Sequence, residues 1–144
     1  MKIYSKDFQH GGMIPRIFTC QGKNINPQVA WSGVPPEAKS LALIVDDPDA
    51  PMGTWVHWLI CDIDPSYAGI DRDSVPRGAM QVNNDFRKPD YGGPCPPSGI
   101  HRYFFKLYAL KVKKLGANNK RTFYKLVKSH AMARAVLMGK YTKG

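Results

Sequence analysis

The last third of this sequence contains no acidic residue. Residues 1–90 carry nine Lys/Arg against eleven Asp/Glu, whereas residues 91–144 carry twelve Lys/Arg and no Asp or Glu. The formal net charge of +10 is therefore concentrated towards the C-terminus. Such a face attracts nucleic acid, anionic membrane or acidic protein through a field that salt screens; its commonest role is to keep a solvated surface soluble. Cysteine is scarce. Cys20, Cys61 and Cys95 are odd in number and show no CxxC spacing, which argues against a disulfide framework and a cysteine-rich zinc site and leaves reduced thiols as the expectation. No apolar run approaches the roughly 20 residues of a membrane-spanning helix, and the start, MKIYSKDFQHGG, lacks the apolar segment of a signal peptide. A cytoplasmic location is expected. No repeat, low-complexity tract or linker divides the chain, so 144 residues with 43% hydrophobic content read as one domain spanning 1–144.

Three apolar runs carry the fold. Residues 40–47, SLALIVDD, read as a buried strand running out to the surface in acids. In 54–63, TWVHWLICDI, strict alternation puts Trp55, His57, Leu59 and Cys61 on one face and Val56, Trp58 and Ile60 on the other. Both faces are largely apolar, which suits a central strand. The third run, 101–111, places His101, Tyr103, Phe105 and Leu107 opposite Arg102, Phe104, Lys106 and Tyr108. Shorter strands are expected at 28–31 and 80–84, with Pro and Gly between them. The fold class is mainly β, with antiparallel sheets. One helix is expected, RTFYKLVKSHAMARAVLMGKY, where Phe123, Leu126, Val127, His130, Ala133 and Leu137 recur at helical spacing and Gly139 ends it.

Two of these runs contain or begin with a histidine behind a proline-punctuated loop: DDPDAPMGTW before His57 and YGGPCPPSGI before His101. Proline restricts itself and its neighbour, so these loops lose little entropy on presenting backbone N–H groups in a fixed direction. Glycines 92, 93 and 99 let backbone approach a ligand closely. Imidazole and backbone N–H groups are donors for an anion, and an aspartate on the far ring nitrogen fixes the tautomer and favours the charged ring. Asp47 or Asp49 fits that orienting role. A phosphate-bearing ligand should then bind more tightly as pH falls through the histidine range, around 6.5.

DDPDAP followed by TWVHW, then NDF and YGGPCPPSGIHRYFFKLYAL, resemble the two signature regions of the phosphatidylethanolamine-binding protein family, which includes Raf-kinase inhibitor proteins and flowering regulators of plants. The similarity is greatest to the short bacterial and archaeal branch and extends from IPRIFTCQGKN to GKYTK. The resemblance implies two antiparallel β-sheets with a C-terminal helix and a small anion pocket at one end. It implies a ligand site of Asp47, Asp49, His57 and His101, with Pro51, Trp55, Gly93, Pro94 and Tyr103 as its walls, and a cis peptide at Pro51, against a base rate of about 5–6%. The implied ligand is a phospholipid head group such as phosphatidylethanolamine, or a phosphorylated small molecule or protein. The implied regulatory role is inhibition of a kinase or serine protease, with no cofactor and no catalysis.

Three other readings arise from the residues. Cys95 near His101 is a minimal nucleophile pair for a hydrolase. His57, His101, Asp47 and Asp49 are zinc ligands by type. The basic C-terminal part could meet nucleic acid, although it holds no groove-reading motif and no specific nucleic-acid partner is expected. Met13, Ile14, Ile17 and Phe18 are more apolar than a small exposed loop needs, which points to a homodimer.

Overall fold

The structure is a computed structural model and describes residues Met1–Gly144. Eight strands and one helix follow in chain order. They are β1 (Lys2–Tyr4), β2 (Val29–Ser32), β3 (Ser40–Asp47), β4 (Trp55–Ile63), β5 (Gly69–Ile70), β6 (Met80–Val82), β7 (His101–Leu110), α1 (Lys120–His130) and β8 (Ala131–Tyr141). They form a three-stranded sheet, β1-β2-β5, and a five-stranded sheet, β6-β4-β3-β7-β8, with every pairing within them antiparallel. The mainly β class is therefore seen directly.

β3 is buried along its whole length because both of its faces are covered. On one side Leu41, Leu43 and Val45 join Trp58, Phe105 and Leu107 of the large sheet and Val29, Trp31 and Ile70 of the small one in a single core. On the other, Ala42 and Ile44 meet Leu59 of β4 and Phe123 and Val127 of α1. The layers are thus small sheet, large sheet, helix, and each large apolar side chain buried between them contributes about 1.5–3 kcal/mol. No helix is long and apolar enough to cross a membrane.

The helix is shorter than its sequence suggests. Asn119 caps it by accepting the Thr122 N–H at 2.9 Å, and it stops at His130, where Ala131 turns extended and the chain passes straight into β8. Ala135, Leu137, Gly139 and Tyr141 are buried at period two, a pattern hidden by alanines and methionines that also fit a helical spacing. Gly139 is a packing site and not a helix stop: a Cβ there would lie 2.6 Å from Ile14 and 2.8 Å from Phe8. The helix consequently precedes the last strand.

Three further expectations change. Cys20 and Cys95 form a disulfide, with Cα atoms 5.5 Å apart and 75 residues between them in sequence; only Cys61 is free, and it is buried. Spacing rules for close pairs cannot see so distant a partner. No peptide bond is cis, so Pro51 is trans. Of the apolar N-terminal residues, Ile14 and Phe18 belong to the chain's own core and only Met13 is half exposed.

Candidate functional site

The large sheet ends in a cavity of about 300 Å³ where β3, β4 and β7 meet two loops. A β-bulge shapes it. Val45 pairs with Trp58 but Asp46 pairs with Val56, so His57 is the extra residue on β4. Strict alternation fails there: Val56 lies with Leu59 and Cys61, whereas Trp58 and Ile60 face the other core. The bulge brings His57 to the side of β7 that carries Tyr103, with ring centroids 5.2 Å apart. His101, first residue of β7, stacks near the same tyrosine at 6.4 Å. Both histidines line the cavity and both are buried.

Each imidazole is held through Nδ1. That of His101 lies 2.6 Å from Asp47 Oδ2, and that of His57 donates to the Gly92 carbonyl at 2.6 Å. Neither Nε2 has a protein partner. Asp47 is fixed in turn, its other oxygen accepting the Asp49 N–H at 2.7 Å. Burial lowers His57 from its ordinary value of 6.5, opposed by the Gly92 carbonyl and the charge of Asp47. Burial thus favours the neutral form of the His57 ring. The Tyr103 hydroxyl is buried without a partner, the Cys95 backbone lying near it but outside hydrogen-bond geometry. Burial and then Asp47 push its ionisation upwards.

The residues singled out in the sequence divide into two groups. Asp47, Pro51, Trp55, His57, His101 and Tyr103 line the cavity. Asp49 does not: Arg102 holds it with Nε at 2.9 Å and Nη2 at 2.8 Å. That pair brings its carboxyl down to about 2, overcoming the opposing effect of burial. Gly93 and Pro94 stand behind the wall, the Gly93 N–H donating to Asn24 Oδ1 at 2.8 Å and the Pro94 carbonyl accepting from Cys20 N–H at 3.1 Å. At Gly93 a Cβ would sit 2.1 Å from the Phe18 carbonyl oxygen, so only glycine fits.

Sequence reasoning left one wall out. Buried Asn84 donates to the carbonyls of His57 and Asp90 and accepts from the Phe86 N–H at 2.8 Å. Asp85 accepts the Val56 N–H at 2.7 Å and pairs with Lys120 of α1. These bonds set Phe86 edge-on to both His57 and Trp55, with centroids 5.3 and 5.4 Å apart. The NDF triplet was the available signal. A Cβ on Gly92 would meet the Phe86 ring at 2.4 Å. Gly92→Ala is therefore expected to cost about 1–3 kcal/mol in urea unfolding and to shift the His57 ring-proton resonances as Phe86 swings away.

The catalytic reading through Cys95 loses its nucleophile to the disulfide. The metal reading loses its geometry: Asp49 is committed to Arg102, and no three His, Cys, Asp or Glu side chains converge as a cation site.

The chain thus combines a two-sheet β fold and one helix with a mostly apolar end cavity holding two anchored histidines. The family model for phosphatidylethanolamine-binding protein matches residues 4–142, and the chain belongs to that family. It is 45% identical to a UPF0098 protein of Methanothermobacter thermautotrophicus over the whole of both chains. It is 48% identical to one of Aquifex aeolicus over 81% of this chain and 71% of the other. Among solved structures, it superposes at a TM-score of 0.94 on Escherichia coli YbcL, described as a member of the mammalian PEBP family, with 30% identity over 99% and 98% of the two chains. A Chlamydia trachomatis protein described as a candidate PEBP homologue gives 0.93, with 37% identity over 99% and 97%.

Proposed function

We propose that the cavity binds a phosphate-bearing group without transforming it. The supporting observation is the pair of imidazoles, each anchored through Nδ1, whose Nε2 atoms are left to the cavity. His101 can donate Nε2–H to a phosphate oxygen while Asp47 holds its other nitrogen. Apolar walls from Pro51, Trp55 and Phe86 exclude water and strengthen that bond. A phosphodiester such as an ethanolamine phospholipid head group meets these demands.

His57 adds a proton-linked step. Its Nε2 is a bare lone pair in the neutral ring, so an anion placed against it raises the pKa that burial had lowered. Binding then takes up a proton. Affinity rises as pH falls between the liganded and unliganded values, the second of which lies below 6.5. Calorimetric titration with glycerophosphoethanolamine, in buffers of differing ionisation enthalpy, is expected to show this uptake and tighter binding from pH 8 to 5.5. His57→Ala and His101→Ala should each weaken binding at least about tenfold, while His130→Ala, at the end of α1, should not. A pH-independent affinity unaffected by both cavity variants would sink the reading.

A further inference from the structure

The large sheet has a second concave surface on the side away from the histidine cavity. A groove of about 790 Å³ runs between α1 and strands β7 and β8. Ile44, Val127 and Ala133 belong to its apolar lining, and Lys125, Lys128 and Arg134 are the exposed cations around it. None of these three cations is in an ion pair. The acid of this region is Asp46, which is buried: Lys106 Nζ lies 3.1 Å and the Tyr124 hydroxyl 2.7 Å from its Oδ2, and its Oδ1 has no partner.

A purely solvated basic surface needs no apolar lining and no concavity. Here three uncompensated charges surround both, in a volume within the roughly 300–1,000 Å³ of small-molecule sites. We propose that this groove is a second ligand site, for an amphipathic anion whose apolar body lies along the lining and whose phosphate or carboxylate is held by Lys125, Lys128 and Arg134. A bilayer cannot follow a groove inward to its lining, and a polynucleotide has no alkyl body to fill it, so a single small amphiphile is the occupant the shape and charge select. The two sites share one strand. Asp47 and Asp46 are neighbours on β3 and face opposite sides of the sheet, one towards each site.

The test uses decyl phosphate below its micellar concentration, with decanol and inorganic phosphate as separated halves of the ligand, followed by calorimetry and amide chemical shifts. Decyl phosphate is expected to bind with shifts centred on residues 124–134. At these residues decanol and inorganic phosphate should bind at least about tenfold more weakly, and Lys125→Glu or Arg134→Glu should lower the affinity read there about tenfold. Ala133→Trp should block the groove; should that variant fail to fold, Lys128→Glu serves in its place. The shifts on residues 124–134 should persist in His101→Ala, which disables the phosphate-holding cavity and so separates this site from it. The proposal is overturned by loss of the shifts on residues 124–134 in His101→Ala, by charge reversals without effect on them, by inorganic phosphate producing them as strongly as the amphiphile, or by a response confined to anionic vesicles or polynucleotide.

Discussion

Opening the Cys20–Cys95 bridge, by reduction or by Cys20→Ser with Cys95→Ser, is expected to lower stability by about 4–5 kcal/mol, the loop-entropy value for a closure spanning 75 residues. For a chain of this size the melting temperature should fall by roughly 10–15 °C. The loss is thermodynamic first, because the bridged segment keeps other attachments: the Cys20 N–H to the Pro94 carbonyl, the Gly93 N–H to Asn24, and the Tyr91 hydroxyl to the Phe18 carbonyl at 2.8 Å. Cys95, Pro96 and Pro97 nevertheless form one wall of the cavity, so the reduced protein should also bind glycerophosphoethanolamine more weakly. Urea unfolding with and without reductant measures the first effect. Cys61 is an internal control: burial pushes its thiol up to about 12, and it should resist alkylation until the chain unfolds. Unfolding curves that superimpose in the two conditions would show that the bridge does not constrain the chain.

The largest effect on the site is expected from Asp47→Asn. The substitution keeps an oxygen to accept the Asp49 N–H and removes the charge that faces His101 Nδ1 at 2.6 Å. Two effects compete for the phosphodiester. Losing a buried negative charge relieves repulsion, but that carboxylate is already engaged by His101 Nδ1. Losing the charge-assisted bond that orients the ring costs about 1.5–3 kcal/mol, so affinity should fall about ten- to a hundredfold. With His101→Ala as background, Asp47→Asn should have little further effect, since the two act through one hydrogen bond. Tighter binding in Asp47→Asn would mean that repulsion dominates and that the ligand is not an anion held by His101.

The three long runs were legible to within a residue or two, because apolar runs bounded by Pro and Gly carry their own ends, whereas the short strands β1 and β5 were not read. The run read as 40–47 is β3, 54–63 is β4 from Trp55, and 101–111 is β7 to Leu110. That His57 and His101 serve one site was read from the two similar proline-punctuated loops before them and from the family resemblance. What stayed hidden has specific causes. The β4 faces were misassigned at His57 because a bulge is a property of the pair, Val45 with Trp58 and Asp46 with Val56, and not of one strand. β8 was read as helix because AMARAVLM suits either period until Phe8 and Ile14 claim the face of Gly139. Asp49 was placed in the pocket by its motif, whereas Arg102, two residues before Phe104 on the outward side of β7, supplies a stronger partner.

The central position of β3 also governs when the cavity can exist. Ser40 pairs with Leu110 and Asp46 with Phe104, so the strand that carries Asp47 is joined to the one that carries His101 only after the intervening chain has been gathered in. Closure of so long a loop delays pairing, and topologies dominated by distant contacts fold in milliseconds to seconds. No early intermediate lacking the β3–β7 ladder can hold half a site, and a fragment ending before β7 has neither His101 nor its contact with Asp47. Ligand affinity therefore reports closure of the β3–β7 ladder, and pulsed binding during refolding would date that closure.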